Sequence, residues 1–229
     1  MGLITVLLVA PALALAGAQD PRLGQSRDAI LEMGSQKWVE FYMKTTGENN
    51  EVGVDMASGV FADCLKERNG EDLAKLQPLD RTRLEKYAGY IQTWRVATIE
   101  IAQAQAGGGT MYDHAIRRSR IAQEQLMSDL IGLNSRPLVE STLERLLSIQ
   151  DSIGKVRKRL GEKARISPSE RAEMPKHGVD PKRIDAACLK AGRAYDAIAN
   201  MMPRERQEEC VAILDAFWDW LTMFDEPRD

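Results

Sequence analysis

The strongest periodic pattern in the chain lies between residues 81 and 106, where large side chains recur at alternating spacings of three and four. The inward positions are Leu84, Tyr87, Ile91, Trp94, Thr98 and Ile101. This spacing places all of them on one face of an α-helix, as in a heptad seam. We predict a long helix here, with Asp80 as its N-cap and Leu79 in contact with Leu84 as a hydrophobic staple.

Two more long helices are predicted, over about residues 111–133 and from Pro137 to about residue 160. The first directs inward Ala115, Ala122, Leu126, Leu130 and Leu133. The second repeats the alternation at Val139, Thr142, Leu146, Ile149, Ile153, Val156 and Leu160. Because short turns join the three helices, we expect them to pack side by side in an antiparallel bundle.

Helical patterns also precede this central region. One helix is expected over about residues 25–45, ended by Gly47. A second is expected to begin at an Asp55 N-cap and to end at Asn69-Gly70, where asparagine and glycine favour termination.

After the central region, residues 161–180 are polar and interrupted by proline, which predicts a connection over the surface. Residues 181–225 then form a helical hairpin that packs on the bundle. No segment has the alternation of a β-strand, so the predicted fold class is all-α. Residues 19–229 are interpreted as one domain, an antiparallel bundle of long amphipathic helices over residues 25–160 followed by this hairpin.

Residues 1–18 are interpreted as a signal peptide. An uncharged apolar run over residues 3–16 leads into Ala16-Gly17-Ala18, the small-x-small pattern of a signal-peptidase site. An uncleaved anchor or a buried helix is the alternative, but the run contains Pro11 and is shorter than the ~20 residues of a spanning helix. We therefore expect a secreted or periplasmic protein with no stable membrane insertion after cleavage.

The net charge and the cysteine content limit which partners and disulfide bonds are expected. The formal net charge of -3 provides no overall positive field, so nucleic acid is not an expected partner. The three cysteines are Cys64, Cys188 and Cys210. An odd number leaves at least one thiol unpaired or paired between chains. Inert buried thiols are the favoured interpretation, and a disulfide between Cys64 and either of the others is the alternative.

The most unusual stretch is the glycine-rich turn Gly107-Gly108-Gly109-Thr110, which separates two helices. Backbone N–H groups at such a turn can bind an anion. The simpler interpretation is structural, because Thr110 and Asp113 have the spacing of a capping box.

His114 follows this turn and is expected to be neutral, since the positive end of a helix disfavours its protonation. Arg117 and Arg118 lie one turn further on. Together with the glycine-rich turn they form a candidate site for a small anionic ligand. No nucleophile and no second histidine lies near His114 in the sequence, so we expect no catalytic group, metal or cofactor.

Two basic clusters, Arg117 to Arg120 and Lys155 to Arg165, would adjoin at one end of an antiparallel bundle. A weak contact with an anionic surface is one interpretation, and two solvated helix faces are the favoured one. The leading functional hypothesis is a non-enzymatic exported helical protein that binds a protein partner or self-associates. The alternative is an anionic-ligand or catalytic site at the Gly107 to His114 turn.

Overall fold

A computed structural model describes residues 20–106, 110–138, 142–163, 168–178 and 180–222, and these residues are helical with no β-strand. The predicted signal peptide lies outside them. The α-helices are α1 (Arg27–Met33), α2 (Ser35–Thr46), α3 (Glu51–Lys75), α4 (Pro78–Ala106), α5 (Thr110–Ser135), α6 (Leu143–Lys163), α7 (Pro168–Glu173), α8 (Pro181–Met201) and α9 (Arg204–Thr222). The all-α prediction is confirmed.

The helix predicted over residues 25–45 is two helices. Gly34 separates α1 from α2 with φ of 77°, a left-handed conformation that glycine adopts without steric cost. Ser26 caps α1, its hydroxyl accepting from the Ala29 amide. Gly47 ends α2 in the predicted way, in the αL conformation.

Helix α3 is longer at both ends than predicted. Its N-cap is Asn50, whose side chain accepts from the Gly53 amide, so the prediction of Asp55 as N-cap is wrong. The helix also continues through Asn69 and Gly70 to Lys75. Asn69 is tolerated there because its side chain donates to α5, where the Glu124 carbonyl accepts at 2.8 Å.

Helix α4 carries the predicted seam, and all six of its inward residues are buried. Its start differs from the prediction, because Pro78 is the first helical residue and Asp80 lies within the first turn. Asp80 pairs with Arg83 at 3.0 Å instead of acting as the N-cap. Leu79 is 74% exposed while Leu84 is fully buried, so the two do not form the predicted staple.

The long helices pack differently from the predicted three-helix bundle. Helices α4 and α5 are antiparallel, with Arg95 bonded to Ser119 and Arg83 bonded to Asn134. Helix α6, however, begins at Leu143 and not after Pro137, and it packs mainly along α9.

The C-terminal helices α8 and α9 contact each other, the Tyr195 hydroxyl donating to the Val211 carbonyl at 3.4 Å, and both dock on the preceding helices. Helix α8 packs antiparallel along α4, where the Tyr87 hydroxyl lies 4.0 Å from the Met202 sulfur, and α9 packs on α5 and α6. The expected docking onto the preceding helices is therefore present, with α8 and α9 packing mainly on different helices. Met174 in the predicted surface connection is also buried in this core.

The buried apolar residues form two clusters. The main cluster joins α4, α5, α8 and α9 with Ile149 and Ile153 of α6. The smaller cluster joins α1, α2 and one face of α3 around Trp38, whose indole Nε1 donates to the Ala57 carbonyl at 2.9 Å. Helix α3 thus carries the N-terminal helices and connects them to α5 through its other face.

Candidate functional site

The face of α3 that meets α5 is polar and has small side chains at its closest approach. Arg117 of α5 pairs with Asp55 at 3.0 Å, and Arg120 pairs with Asp63 at 3.1 Å. A Cβ atom at Gly59 would lie 3.1 Å from the Arg120 guanidinium, so glycine leaves room for this arginine to cross α3. Two arginines of the predicted basic cluster are therefore engaged with acidic groups of α3.

The structure describes only part of the predicted anion site. Gly107, Gly108 and Gly109 and the side chains of Thr110 and His114 lie outside the described parts of the chain, although α5 begins at Thr110 close to the expected position. Arg117 is 9% exposed and faces Asp55, while Arg118 is half-buried. The Arg117 guanidinium is thus paired with a carboxylate of α3. This pairing does not support its predicted role in binding an anion at the glycine-rich turn.

The predicted adjacency of the two basic clusters is not seen among the described side chains. Arg117 and Arg120 face α3, whereas α6 packs on α9. Lys155 pairs within its own helix, with Asp151 at 2.6 Å. The side chains of Arg157 and Arg159 lie outside the described part of the chain.

Further along the α3–α5 contact, Asn69 and Glu124 form a polar pair in which Asn69 is buried and Glu124 is half-buried. Asn69 is 3% exposed, and its Oδ1 has no hydrogen-bond partner among the described residues. Burial raises the pKa of the Glu124 carboxyl, although Asn69, Lys66 and Arg95 each act to lower it. Partial burial thus disfavours the charged form of Glu124 at this contact.

Arg95, which the sequence interpretation did not single out, occupies the junction of α4 with α5. Its guanidinium donates to the Ser119 hydroxyl and to the Gln123 side-chain oxygen, both at 3.1 Å. Burial and the nearby Arg120 lower its pKa. Arg95 follows Trp94 of the apolar seam, and no local motif distinguishes it from other helical arginines.

At the opposite end of α5 from the glycine turn, a cleft of about 640 Å³ opens between α3, α4 and α5. Its volume lies within the range of small-molecule sites, roughly 300–1,000 Å³. Lining side chains that bear on the chemistry of the cleft are Arg68, Asp72, Lys75, Asp80, Ser128 and Ile131. This cleft was not predictable from the sequence. Its lining includes Asp72 and Lys75 of α3, a helix that was expected to end at Asn69-Gly70.

The charged groups of the cleft differ in their partners. Lys75 pairs with Asp72 at 2.8 Å, and Asp80 pairs with Arg83 outside the lining. Arg68 donates instead to a neutral group, the Ser128 hydroxyl, at 3.2 Å. Among the described charged groups that line the cleft, Arg68 is the one whose hydrogen bond goes to an uncharged partner.

The three cysteines are free thiols, which agrees with the favoured interpretation. Cys64 and Cys210 are buried, and burial raises the pKa of Cys210 to about 12. Such thiols are weak nucleophiles, because the thiolate is the reactive form. Within the described residues, no group of three or more His, Cys, Asp or Glu side chains is placed to hold a metal ion.

A different surface feature lies at the start of α6. Leu143 and Leu147, one turn apart, are 74% and 59% exposed. Leu138, just before this helix, is 57% exposed. We call these three residues the α6 leucine face.

None of the described helices is both long and apolar enough to cross a membrane.

Comparison with protein family models, with curated proteins and with solved structures finds no match to this chain.

Proposed function

We propose that the chain is an exported, non-enzymatic helical protein that binds a protein partner or a second copy of itself through the α6 leucine face. The observation that supports this is the exposure of three leucines close together in the chain. Burying apolar surface contributes roughly 25 cal/mol per Å², so a partner that covers such side chains gains binding energy. Exposed apolar groups of this kind are typical of interaction sites.

Three other apolar side chains of α6 are used for internal packing. Ile149 and Ile153 are buried in the main core, and Leu146 packs against it. Leu143 and Leu147 instead remain at the surface beside these core residues. A partner at this face would therefore meet a helix whose position is fixed by α9.

The alternative function, an anionic-ligand or catalytic site at the Gly107 to His114 turn, has less support. Its strongest cationic member, Arg117, forms an ion pair with Asp55 at 3.0 Å. A ligand would have to compete with this carboxylate for the guanidinium. We therefore favour protein binding over an anionic ligand at the turn.

The test is to replace two leucines of the face with charged residues. We expect the double variant Leu143→Glu/Leu147→Glu to lose self-association in light scattering after size exclusion, or to lose the partner that the wild-type chain retains in affinity capture. Two carboxylates at the centre of an apolar contact would have to be desolvated, which is strongly unfavourable.

A matched control is available in Leu79→Glu/Leu189→Glu. These leucines are 74% and 56% exposed, close to the exposures of Leu143 and Leu147, but they lie on α4 and α8. The control adds the same charge and should retain association. A wild-type chain that stays monomeric and retains no partner, or an equal loss in both double variants, would contradict the proposal.

We also propose that the chain is exported and cleaved after Ala18. The supporting pattern is the apolar run followed by Ala16-Gly17-Ala18. When the full chain is expressed in a host with a secretory pathway, mass spectrometry of the exported protein should find Gln19 at its N-terminus. Replacing Ala16 and Ala18 with arginine should block cleavage, because the peptidase accepts only small residues there. Intracellular protein that retains residues 1–18 would refute export.

A further inference from the structure

We propose that the cleft at the C-terminal end of α5 binds a small carboxylate-bearing molecule through the Arg68 guanidinium and the Ser128 hydroxyl. This site is separate from the α6 leucine face and does not depend on the function proposed above. The two side chains come from different helices and are joined at 3.2 Å on the wall of the cleft.

The guanidinium of Arg68 is chemically suited to this ligand. A planar guanidinium offers paired N–H donors that match the two oxygens of a carboxylate. The hydrogen bond to Ser128 holds the side chain in place before a ligand arrives, which lowers the entropic cost of binding. The Ser128 hydroxyl can also donate to a ligand oxygen, since a hydroxyl both donates and accepts.

Asp129, an acidic group on which Arg68 acts, does not take the place of the ligand. Asp129 accepts from the Gln125 side chain at 3.2 Å and forms no ion pair with Arg68 within 4.0 Å among the described contacts. Burial raises the pKa of Asp129, and this effect outweighs the attraction of Arg68. The positive charge of Arg68 is therefore incompletely balanced inside the cleft.

The lining of the cleft favours a monocarboxylate over a phosphate. Arg68 is the one described cation of the lining whose hydrogen bond does not go to a carboxylate, so a ligand with one negative charge matches it better than a doubly charged phosphate. Leu76 and Ile131 provide apolar surface for the body of a ligand. A single carboxylate attached to an apolar group satisfies both features.

Benzoate is the probe for the test, and benzamide is its uncharged counterpart of nearly the same shape. The full chain is purified as the expression host processes it and is titrated with benzoate in an amide-resolved NMR experiment. Benzoate should shift the amide resonances of Gln77 and Gly132. Millimolar affinity is expected for a ligand of this size. Benzamide and inorganic phosphate should cause no comparable shifts.

Two variants locate the effect at the proposed pair. Arg68→Gln should weaken benzoate binding by about tenfold or more, the usual consequence of losing a charged hydrogen bond. Ser128→Ala, which removes one hydroxyl and preserves the helix, should weaken it to a smaller extent. The matched control is Arg95→Gln, since Arg95 also donates to a serine of α5 at 3.1 Å but lies outside the cleft.

Benzoate shifts confined to the cleft, lost in Arg68→Gln and retained in Arg95→Gln, would support the proposal. It would be overturned if benzoate caused no shifts, if benzamide or phosphate bound equally well, or if both arginine variants weakened benzoate to the same extent. The helical circular dichroism of each variant confirms that it is folded.

Discussion

The half-buried carboxyl of Glu124 makes the most specific prediction at the scale of a single residue. Burial raises its pKa above the usual value of 4.5. An acid with a raised pKa in the folded state contributes most to stability below its unfolded pKa, and this contribution is lost as the pH rises through the folded pKa. The contact of α3 with α5 should therefore weaken between acidic and neutral pH.

Glu124→Gln removes this charge and keeps an oxygen that can accept from Asn69. We expect the Tm at pH 7 to rise by about 2–4 °C, the size of a ~1 kcal/mol change in a chain of this length, and the difference to vanish near pH 4. Glu85→Gln on the exposed face of α4 is the control and should leave the Tm unchanged at both values. A Tm that falls in Glu124→Gln at pH 7 would show that the carboxylate is stabilising.

The role of a single residue was predictable where it depends on apolar burial. It was less predictable where two polar side chains compete for the same role. The seam from Leu84 to Ile101 is buried in the predicted way. Asp55, predicted to be an N-cap, became an ion-pair partner of Arg117 because Asn50 caps the helix earlier. The choice between capping residues four or five positions apart depends on the tertiary contact, which a local pattern does not contain.

At the scale of the helices, the presence of a helix was easier to predict than the residues at which it begins and ends. Each long periodic segment contains a long helix, as the three-four spacing indicates, although the third helix begins only at Leu143. The errors fall at Gly34, which breaks a helix inside an amphipathic pattern, and at Asn69-Gly70, which a helix passes through. Both residue types permit either outcome, and side-chain contacts decide between them.

Partners of helices were the least predictable feature. An amphipathic stripe shows which face of a helix is buried but not which helix covers it. Helix α6 accordingly has the predicted inward residues Ile149 and Ile153, yet packs on α9. The cleft was not predictable for the same reason. Arg68 and Ser128 are far apart in the sequence and meet only through the α3–α5 contact.

The described part of the molecule has two apolar cores, and the α3–α5 contact connects them through polar pairs together with a few apolar side chains, such as Ile121 against the smaller core and Leu73 against the main one. The N-terminal core is small and centred on Trp38, whereas the main core extends over α4, α5, α8 and α9. The contact between them includes ion pairs of exposed carboxylates, Asp55 and Asp63 being 55% and 61% exposed. Such pairs contribute little, typically below about 1 kcal/mol each.

This arrangement predicts that α1 to α3 open separately from the main core. In hydrogen exchange followed by mass spectrometry, amides of α1 and α2 should exchange well before those of α4 and α8, since local opening is easiest where few apolar contacts are lost. Trp38→Phe removes the indole donor to the Ala57 carbonyl and should destabilise the N-terminal core by about 1–2 kcal/mol. Exchange should therefore accelerate in α1 to α3 only.

Ile91→Val is the complementary change, because Ile91 is 1% exposed in the main core. Its cost is similar, about 1 kcal/mol. If α4, α5, α8 and α9 form the unit on which the N-terminal helices depend, this variant should accelerate exchange throughout the chain. Equal acceleration of α4 and α8 by Trp38→Phe would instead mean that both cores unfold together, and that the α3–α5 contact, with its polar pairs, transmits stability as effectively as an apolar one.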